Sequence, residues 1–189
     1  MANKLFIVLS SPSGGGKSTV AKHLMTMHSE IKFSVSATTR AMRTGETFGK
    51  DYYFLTKAEF VEKIENSELI EYEEIFGNYY GTLTSELQKA VDENYKLIFD
   101  VDVKGALSIK KAFPSESLLV FLAPPDMATL ENRLRNRKTE SEQQIAKRLS
   151  RAEMEIAESI KFDYVIVNKV LENTLKEAES IIKNEIYEN

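Results

Sequence analysis

The segment Ser11–Thr19, with the sequence SPSGGGKST, constrains the fold more than any other part of the chain. It follows a short apolar run, Lys4–Ser10, of the kind found in buried parallel strands, and it leads into a predicted helix, Ser18–His28. A strand, a glycine-rich turn and a helix in this order form a loop whose backbone N–H groups can surround a phosphate. The sequence therefore predicts a phosphate loop within an α/β fold.

Each residue type in this loop has a use in binding a nucleoside triphosphate. Glycine lets the backbone approach an anion without a Cβ in the way, and the following helix adds its partial positive charge. Lys17 can reach the β- and γ-phosphates, and the Ser18 hydroxyl can bind Mg²⁺ directly. Ser11 stands where the strict motif has glycine, and the alternative interpretation is a glycine-rich turn with an incidental lysine. The residues predicted to bind the triphosphate are Ser13, Gly14, Gly15, Gly16, Lys17, Ser18 and Thr19.

Beyond the loop, apolar strand patterns alternate with helix patterns, which indicates a mainly parallel sheet covered by helices. Buried parallel strands are predicted at Lys96–Asp102, Ser117–Ala123 and Tyr164–Val167. Residues 33–83 are different, because they are rich in Tyr, Thr and Glu and contain only short predicted elements. These are strands at Phe33–Thr39 and Tyr52–Leu55 and a hairpin formed by 69–76 and 79–82. We expect this stretch to be a subdomain inserted into the parallel core.

Capping residues mark where helices begin. Thr56 with Glu59, and Ser141 with Gln144, match the capping box, and Asp126 can cap another helix. The predicted helices after the first are one from Thr56 to about Ser67, Thr84–Asn94, Gly105–Phe113, one from Asp126 to about Arg137, one from Ser141 to about Ser159, and Leu171–Tyr187.

The composition excludes several classes of protein. The 189-residue chain has no cysteine and two histidines, so disulfides, thiolate metal sites and a cysteine nucleophile are excluded and a zinc site is not expected. Its 25 basic and 29 acidic residues give a net charge of −4, which argues against non-specific coating of nucleic acid. No apolar run approaches the roughly 18 residues of a membrane helix, and the N-terminus is unlike a signal peptide. We expect a cytoplasmic protein that binds small molecules and binds neither nucleic acid nor membranes. The sequence does not indicate its oligomeric state.

Charged residues outside the loop form a second signal. Asp100 and Asp102 close a predicted strand, where a carboxylate can hold an Mg²⁺-bound water or orient a substrate; the alternative is solvation of a strand end. Arginines fall into two clusters, whereas lysines are spread along the chain. Because arginine binds phosphate oxygens in a planar, bidentate manner, the clusters favour two anion-binding segments, with ordinary ion pairs as the alternative. The arginines are Arg40, Arg43, Arg133, Arg135, Arg137, Arg148 and Arg151.

Several separated motifs make the chain resemble the guanylate kinase family over nearly its whole length. They are SPSGGGKST, SVSATTRAMRTGETFGKDYYF, LIEYEEIFGNYYGT, IFDVDVKGA, RLRNRKTESEQQIAKRL and DYVIVN, in the family's order. The resemblance implies a P-loop NTPase-like α/β fold. It also implies an Mg²⁺-dependent reaction in which ATP and GMP give ADP and GDP, and it leaves open whether dGMP is accepted. It also implies a core (1–32, 84–125 and 160–189), a GMP-binding insert (33–83) and a helical lid (126–159).

The resemblance also assigns roles to single residues. For GMP, the phosphate is expected to contact Arg40, Arg43, Tyr52 and Tyr80, and the base is expected to contact Ser36, Glu71, Thr82 and Asp102. For ATP, Asn168 is expected near the adenine, and the lid is expected to supply Arg133, Arg137 and Arg148. Asp100 is expected beside the substrates, holding Mg²⁺ through water, with Ser18 as the direct ligand. The residues expected to act in catalysis are Lys17, Arg43, Arg137 and Arg148.

Two other functions stay open at this point. One is a guanylate-kinase-like module that binds a partner protein without catalysis, although such modules typically lack the loop lysine present here as Lys17. The other is a kinase for another small phosphate ester, such as a ribose bisphosphate, against which Glu71 in a guanine-reading set argues. The sequence departs from the family pattern at two positions. Lys138 stands where the lid often has glycine, and Lys169 follows Asn168 where the family often has Asp, so the contacts of the lid and of the adenine can differ here.

Overall fold

The computed structural model describes residues 4–75, 77–136 and 141–187, in which the strands form two sheets. The strands are β1 (Phe6–Ser10), β2 (Ile31–Phe33), β3 (Ala37–Thr38), β4 (Tyr53–Phe54), β5 (Leu69–Ile75), β6 (Asn78–Leu83), β7 (Lys96–Asp100), β8 (Ser117–Ala123) and β9 (Tyr164–Val167). Within the described residues, the larger sheet has five parallel strands in the order β2-β7-β1-β8-β9. The strand that precedes the phosphate loop is therefore central.

Helices cover both faces of this parallel sheet, and one further helix, whose Phe60 stacks on Tyr79, packs on the second sheet. They are α1 (Lys17–Met27), α2 (Lys57–Glu65), α3 (Thr84–Asp92), α4 (Val103–Ala112), α5 (Met127–Asn136), α6 (Glu142–Ala157) and α7 (Leu171–Ile182). Ile7 and Leu9 of β1 pack with α1 and α7, while Phe6 and Val8 pack with α3 and α4. Because successive side chains of a strand point to opposite faces, one buried strand serves both halves of the core. The predicted fold class is confirmed.

In the described ranges, no helix combines the length and the apolar character that crossing a membrane requires.

The predicted capping residues lie at the helix starts. The Thr56 hydroxyl accepts the Glu59 backbone N–H at 3.2 Å, and the Glu59 carboxylate accepts the Thr56 backbone N–H at 2.7 Å. Ser141 and Gln144 form the same reciprocal pair at the start of α6. The Asp126 carboxylate accepts a backbone N–H of the first turn of α5 at 2.6 Å. These bonds satisfy N–H groups that have no partner within the helix.

The second sheet is mixed, has the order β4-β3-β6-β5 in the described residues, and lies within 33–83. One prediction here was wrong, because Phe33–Thr39 is not a single strand. Phe33 ends β2 in the parallel sheet, and the Ser34 backbone N–H still donates to the Ile98 carbonyl at 2.9 Å. The chain then crosses to the second sheet, where β3 pairs with β4 and β6. The break occurs because the two halves find partners in different sheets.

Two other predicted strands need correction. The strand predicted at Lys96–Asp102 ends at Asp100, because the Asp102 carboxylate accepts the Gly105 backbone N–H at 2.8 Å and caps α4. That helix accordingly begins two residues before the predicted start at Gly105. The strand Tyr164–Val167 has the predicted bounds but is not fully buried. It lies at the sheet edge, which leaves Val165 44% and Val167 55% exposed.

Candidate active site

A cavity of about 720 Å³ lies beyond the carboxyl ends of β1 and β7, between the phosphate loop, the second sheet and α6. In open α/β sheets this edge is where ligands bind. Residues predicted from distant parts of the sequence meet in its wall. They are Ser13, Lys17, Ser36, Tyr52, Glu71, Tyr80, Asp100, Asp102 and Arg148.

The phosphate loop adopts a conformation that depends on glycine at two positions. Gly14 and Gly16 have φ values of 93° and 98°, in the left-handed region that other residues rarely occupy. A Cβ on Gly16 would also lie 2.7 Å from the Asn168 side-chain nitrogen. Gly15 has no room for a side chain either, since its Cβ would lie 2.6 Å from that of Ser11. The three glycines are therefore required by the shape of the loop.

Lys17, Ser18 and Asp100 form one connected cluster at the start of α1. The Lys17 ammonium donates to the Ser11 carbonyl at 2.9 Å and lies 3.7 Å from the Asp100 carboxylate. The Ser18 hydroxyl donates to Asp100 at 2.7 Å. Hydroxyl and carboxylate oxygens suit Mg²⁺, which usually keeps waters and substrate phosphates among its ligands. The described residues hold no cluster of three or more His, Cys, Asp or Glu that could hold a metal.

Asn168 follows β9 and is tied to the phosphate loop. Its side-chain amide donates to the Gly15 carbonyl at 2.8 Å, and its side-chain oxygen accepts the Thr174 hydroxyl at 3.0 Å. Asn168 is only 5% exposed, so these bonds are shielded from water. Arg133 of α5 donates to the Asn168 backbone carbonyl at 2.8 Å. The residue expected at the adenine thus also holds the loop in place, a contact that no local sequence pattern indicates.

The other predicted lid arginines have different outcomes. Arg148 of α6 reaches the phosphate loop, where its guanidinium donates to the Ser13 hydroxyl. It thereby stands over the same cavity as Lys17. Arg137 and the neighbouring Lys138 lie outside the described residues.

Glu71 of β5 lies opposite Thr82 of β6, and the fully buried Thr82 hydroxyl donates to the Glu71 carboxylate at 2.6 Å. The helix α4 comes close because it has glycine at Gly105, where a Cβ would lie 3.1 Å from Glu71 Oε2. Burial raises the pKa of the Glu71 carboxyl to about 7, and the negative charges of Asp102 and Glu73 act in the same direction. Ser36 lines the same cavity.

The predicted phosphate end of the acceptor site contains an arginine that is already oriented. The Arg40 guanidinium forms a two-point ion pair with Glu46, at 3.0 and 2.7 Å, and lies 5.3 Å from the centre of the Tyr52 ring. Tyr52 and Tyr80 meet edge to face at 6.1 Å, while Arg43 is exposed. Sequence reasoning missed Glu46, whose side chain also accepts the Arg43 backbone N–H at 2.7 Å. The sequence feature that could have identified Glu46 is its position, six residues after the predicted phosphate-binding Arg40.

Comparisons with known proteins identify the family and the fold. A family model described as guanylate kinase matches residues 3–185. The guanylate kinase of Chlorobaculum tepidum is 50% identical over 169 residues, covering 89% of this chain and 87% of the relative. That of Chlorobium luteolum is 47% identical over 178 residues, covering 94% and 90%. The crystal structure of guanylate kinase from Anaplasma phagocytophilum matches with a TM-score of 0.74 and 35% identity, covering 99% of this chain and 88% of that one. The chain therefore belongs to the guanylate kinase family.

Proposed function

We propose that this protein transfers the γ-phosphoryl group of ATP to GMP and releases ADP and GDP. One observation carries the proposal: a single cavity joins Lys17 of the phosphate loop to Glu71 of the second sheet, with Arg148 of α6 beside them. A volume of about 720 Å³ is within the range of sites for small ligands. The cavity thus provides separate ends for a donor phosphate and an acceptor base.

The acceptor GMP is proposed to bind against the second sheet. Guanine has two adjacent donors, N1–H and the N2 amine, and an ionised Glu71 can accept both at once. Ser36, Thr82 and Asp102 complete the contacts to the base. The GMP phosphate binds Arg40 and Arg43 and the hydroxyls of Tyr52 and Tyr80, and the ion pair with Glu46 fixes Arg40 beforehand.

The donor ATP is proposed to bind at the phosphate loop through Ser13, Gly14, Gly15, Gly16, Lys17, Ser18 and Thr19. When bound, Mg²⁺ offsets phosphate charge, with Ser18 as a direct ligand and Asp100 holding it through water. Asn168 is proposed to lie near the adenine, and Arg133, which donates to the Asn168 backbone carbonyl, is proposed to act with the other lid arginines on the ATP phosphates.

Phosphoryl transfer needs alignment and charge neutralisation more than covalent assistance. The attacking group is already a phosphate oxygen, so no strong base is required. Lys17, Arg43, Arg137 and Arg148 are proposed to surround the transferring group and to offset the repulsion between two anionic substrates. We propose that residues 126–159 act as a lid, that 33–83 bind GMP, and that the reaction takes place in the cytoplasm.

A coupled assay of ADP release tests this function. Purified protein is given ATP and Mg²⁺ with GMP, AMP, CMP or UMP as the acceptor. Of the four acceptors, we expect only GMP to give efficient turnover. AMP is excluded because its N1 places a lone pair opposite the Glu71 carboxylate, where guanine has an N–H donor. Turnover that is equal for all four acceptors, or undetectable with GMP, would refute the proposal. Lys17 and Arg148 in the cavity argue against a module that only binds a partner protein.

A further inference from the structure

Arg151 of α6 joins three parts of the molecule. Its guanidinium contacts Glu73 of β5 at 2.7 and 3.2 Å, Asp102 at the start of α4 at 2.7 Å, and Glu155 of its own helix at 2.8 Å. Arg151 also lines the cavity that contains Glu71. None of the roles proposed above uses this arginine.

The contact with Asp102 leaves that carboxylate able to bind a base. One oxygen of Asp102 accepts the Gly105 backbone N–H, and the other accepts Arg151. A carboxylate offers about four lone-pair positions, so capacity remains for a donor of guanine. Two hydrogen bonds from opposite sides fix the rotation of the carboxyl group. Arg151 therefore orients Asp102 without occupying it fully.

Negative charge is concentrated at this end of the cavity. Glu71, Glu73, Asp102 and Glu155 all line it, and like charges at short range repel each other. Arg151 binds three of these four directly, and the fourth, Glu71, lies on the same strand as Glu73. Loss of its charge would leave the four carboxylates without this shared counter-ion.

We propose that Arg151 is a positioning residue for the guanine base: it holds Asp102 and Glu73 in place and offsets the negative charge beside Glu71. The inference rests on the proposed reaction with GMP. Arg151 acts on the acceptor site through these carboxylates and does not touch the transferring phosphate.

A consequence for pH dependence follows from the surroundings of Glu71. The charged and titratable groups that line the cavities containing Glu71 include Glu73 on its own strand, Tyr80 on β6, Asp102 and Lys104 at α4, and Arg151 and Glu155 on α6. Burial already raises the pKa of Glu71 to about 7, and the charges of Asp102 and Glu73 act in the same direction. Because Arg151 pairs with both of these carboxylates, we expect its removal to leave their charge without a counter-ion and to raise the pKa of Glu71 further, so that Glu71 is protonated, and unable to accept both guanine donors, at a higher pH.

The test compares Arg151→Met and Arg151→Lys with a matched control, Lys110→Met. Lys110 of α4 also holds a carboxylate of another element, that of Asp163 at 3.2 and 2.9 Å, but it does not line the cavity. For Arg151→Met we expect KM for GMP to rise about tenfold and KM for ATP to change less than twofold, as for the loss of one charged hydrogen bond. We also expect the acid limb of kcat/KM for GMP to move to higher pH. Arg151→Lys should restore the acid limb and part of the KM, and Lys110→Met should match the wild type.

Several results would overturn the proposal. They are an unchanged KM for GMP with an unchanged acid limb, equal increases in both KM values, or the same effects in Lys110→Met. Thermal unfolding of each variant identifies any that does not fold. If Arg151→Met fails in this way, Arg151→Lys and Glu73→Gln are measured in its place. Glu73→Gln, which releases one side of Arg151, is then expected to raise KM for GMP without raising that for ATP. Failure of the wild type to phosphorylate GMP would instead refute the proposed function itself.

Discussion

Lys17 is positioned before any phosphate arrives. Its ammonium donates to the Ser11 carbonyl at 2.9 Å and to the Ser11 hydroxyl at 3.3 Å, while Asp100 lies 3.7 Å away. These contacts restrict a flexible side chain to the mouth of the loop, and we expect them to be exchanged for phosphate oxygens when ATP binds. A charge held in place in this way costs little further ordering in the transition state.

We expect Lys17→Ala to lower kcat by about two to three orders of magnitude, corresponding to about 3–4 kcal/mol of lost transition-state stabilisation. The fold should persist, because this partly exposed side chain is not part of the core. Steady-state kinetics and thermal unfolding check both expectations. Lys22→Ala, at an exposed position on the same helix, is the control and should keep wild-type activity. A folded Lys17→Ala variant with near-normal turnover would contradict the assignment of the phosphate loop.

Glu71 is proposed to select guanine, which makes its charge state decisive. We expect Glu71→Gln to lower kcat/KM for GMP about 100-fold, because a neutral amide can accept only one of two donors and brings donors of its own. The GMP/AMP ratio should fall with it. In the wild type, kcat/KM for GMP should decline as the pH falls below about 7, since protonation of Glu71 removes an acceptor. The Glu71→Gln variant should not show this decline of kcat/KM at low pH.

This prediction is tested by measuring kcat/KM for both nucleotides from about pH 5.5 to about pH 9, in steps of about one pH unit or less. Glu62→Gln, at an exposed position on α2, provides the control and should leave the ratio unchanged. If Glu71→Gln kept the wild-type GMP/AMP ratio, selection of the base would have to be assigned to other residues.

At the scale of elements, the junction between β9 and α7 supports the phosphate loop. Asn168 donates to the Gly15 carbonyl, accepts from Thr174 on α7, and donates its backbone N–H to the Ala123 carbonyl at 2.8 Å. One buried amide thus connects the end of β8, the start of α7 and the turn before α1. Its position explains why Gly16 cannot carry a Cβ.

We expect Asn168→Ala to destabilise the protein by about 1–3 kcal/mol, because the Gly15 carbonyl and the Thr174 hydroxyl lose a buried partner. KM for ATP should rise as well, since the loop is less well held. Urea unfolding and ATP kinetics provide the measurements, and Asn173→Ala, on an exposed position of α7, is the control. An adenine contact without a role in the loop would raise KM for ATP and leave stability unchanged.

Elements with strong local signals were predictable from sequence. β1 and β8 are continuous apolar runs, and the capping boxes at Thr56 and Ser141 set helix starts by short-range bonds. The division of Phe33–Thr39 between two sheets was not predictable, because it depends on pairing with β4, β6 and β7, which lie 16 to 65 positions away in the chain. Arg151 presents the same difficulty, since its bond to Glu73 spans 78 positions. Local patterns report helix and strand formation, whereas these contacts depend on the tertiary fold.

At the scale of the whole molecule, the proposed substrates would be held by different bodies. The phosphate loop belongs to the parallel sheet, the guanine-reading residues belong largely to the second sheet, and Arg148 and Arg151 come from α6. In this structure α6 already contacts the phosphate loop through Arg148 and the second sheet through Arg151, and we expect bound ATP and GMP to draw these parts closer together. Nucleotides that bind the closed arrangement more tightly than the open one shift the population toward it.

We expect the radius of gyration to fall when GMP and a non-hydrolysable ATP analogue are both at saturation. The closed form should approach about 16 Å, the value for a compact chain of 189 residues. We expect bound phosphates to attract Arg133 of α5 and Arg148 of α6 toward the phosphate loop. Small-angle X-ray scattering of the free and doubly bound protein measures the change, and samples with each nucleotide alone provide the intermediate states.

Because Arg148 contacts the phosphate loop, Arg148→Ala should reduce the response of the radius of gyration to the ATP analogue more than its response to GMP. A radius of gyration that stays constant at saturation would contradict closure and would require the two substrates to align within a rigid cavity.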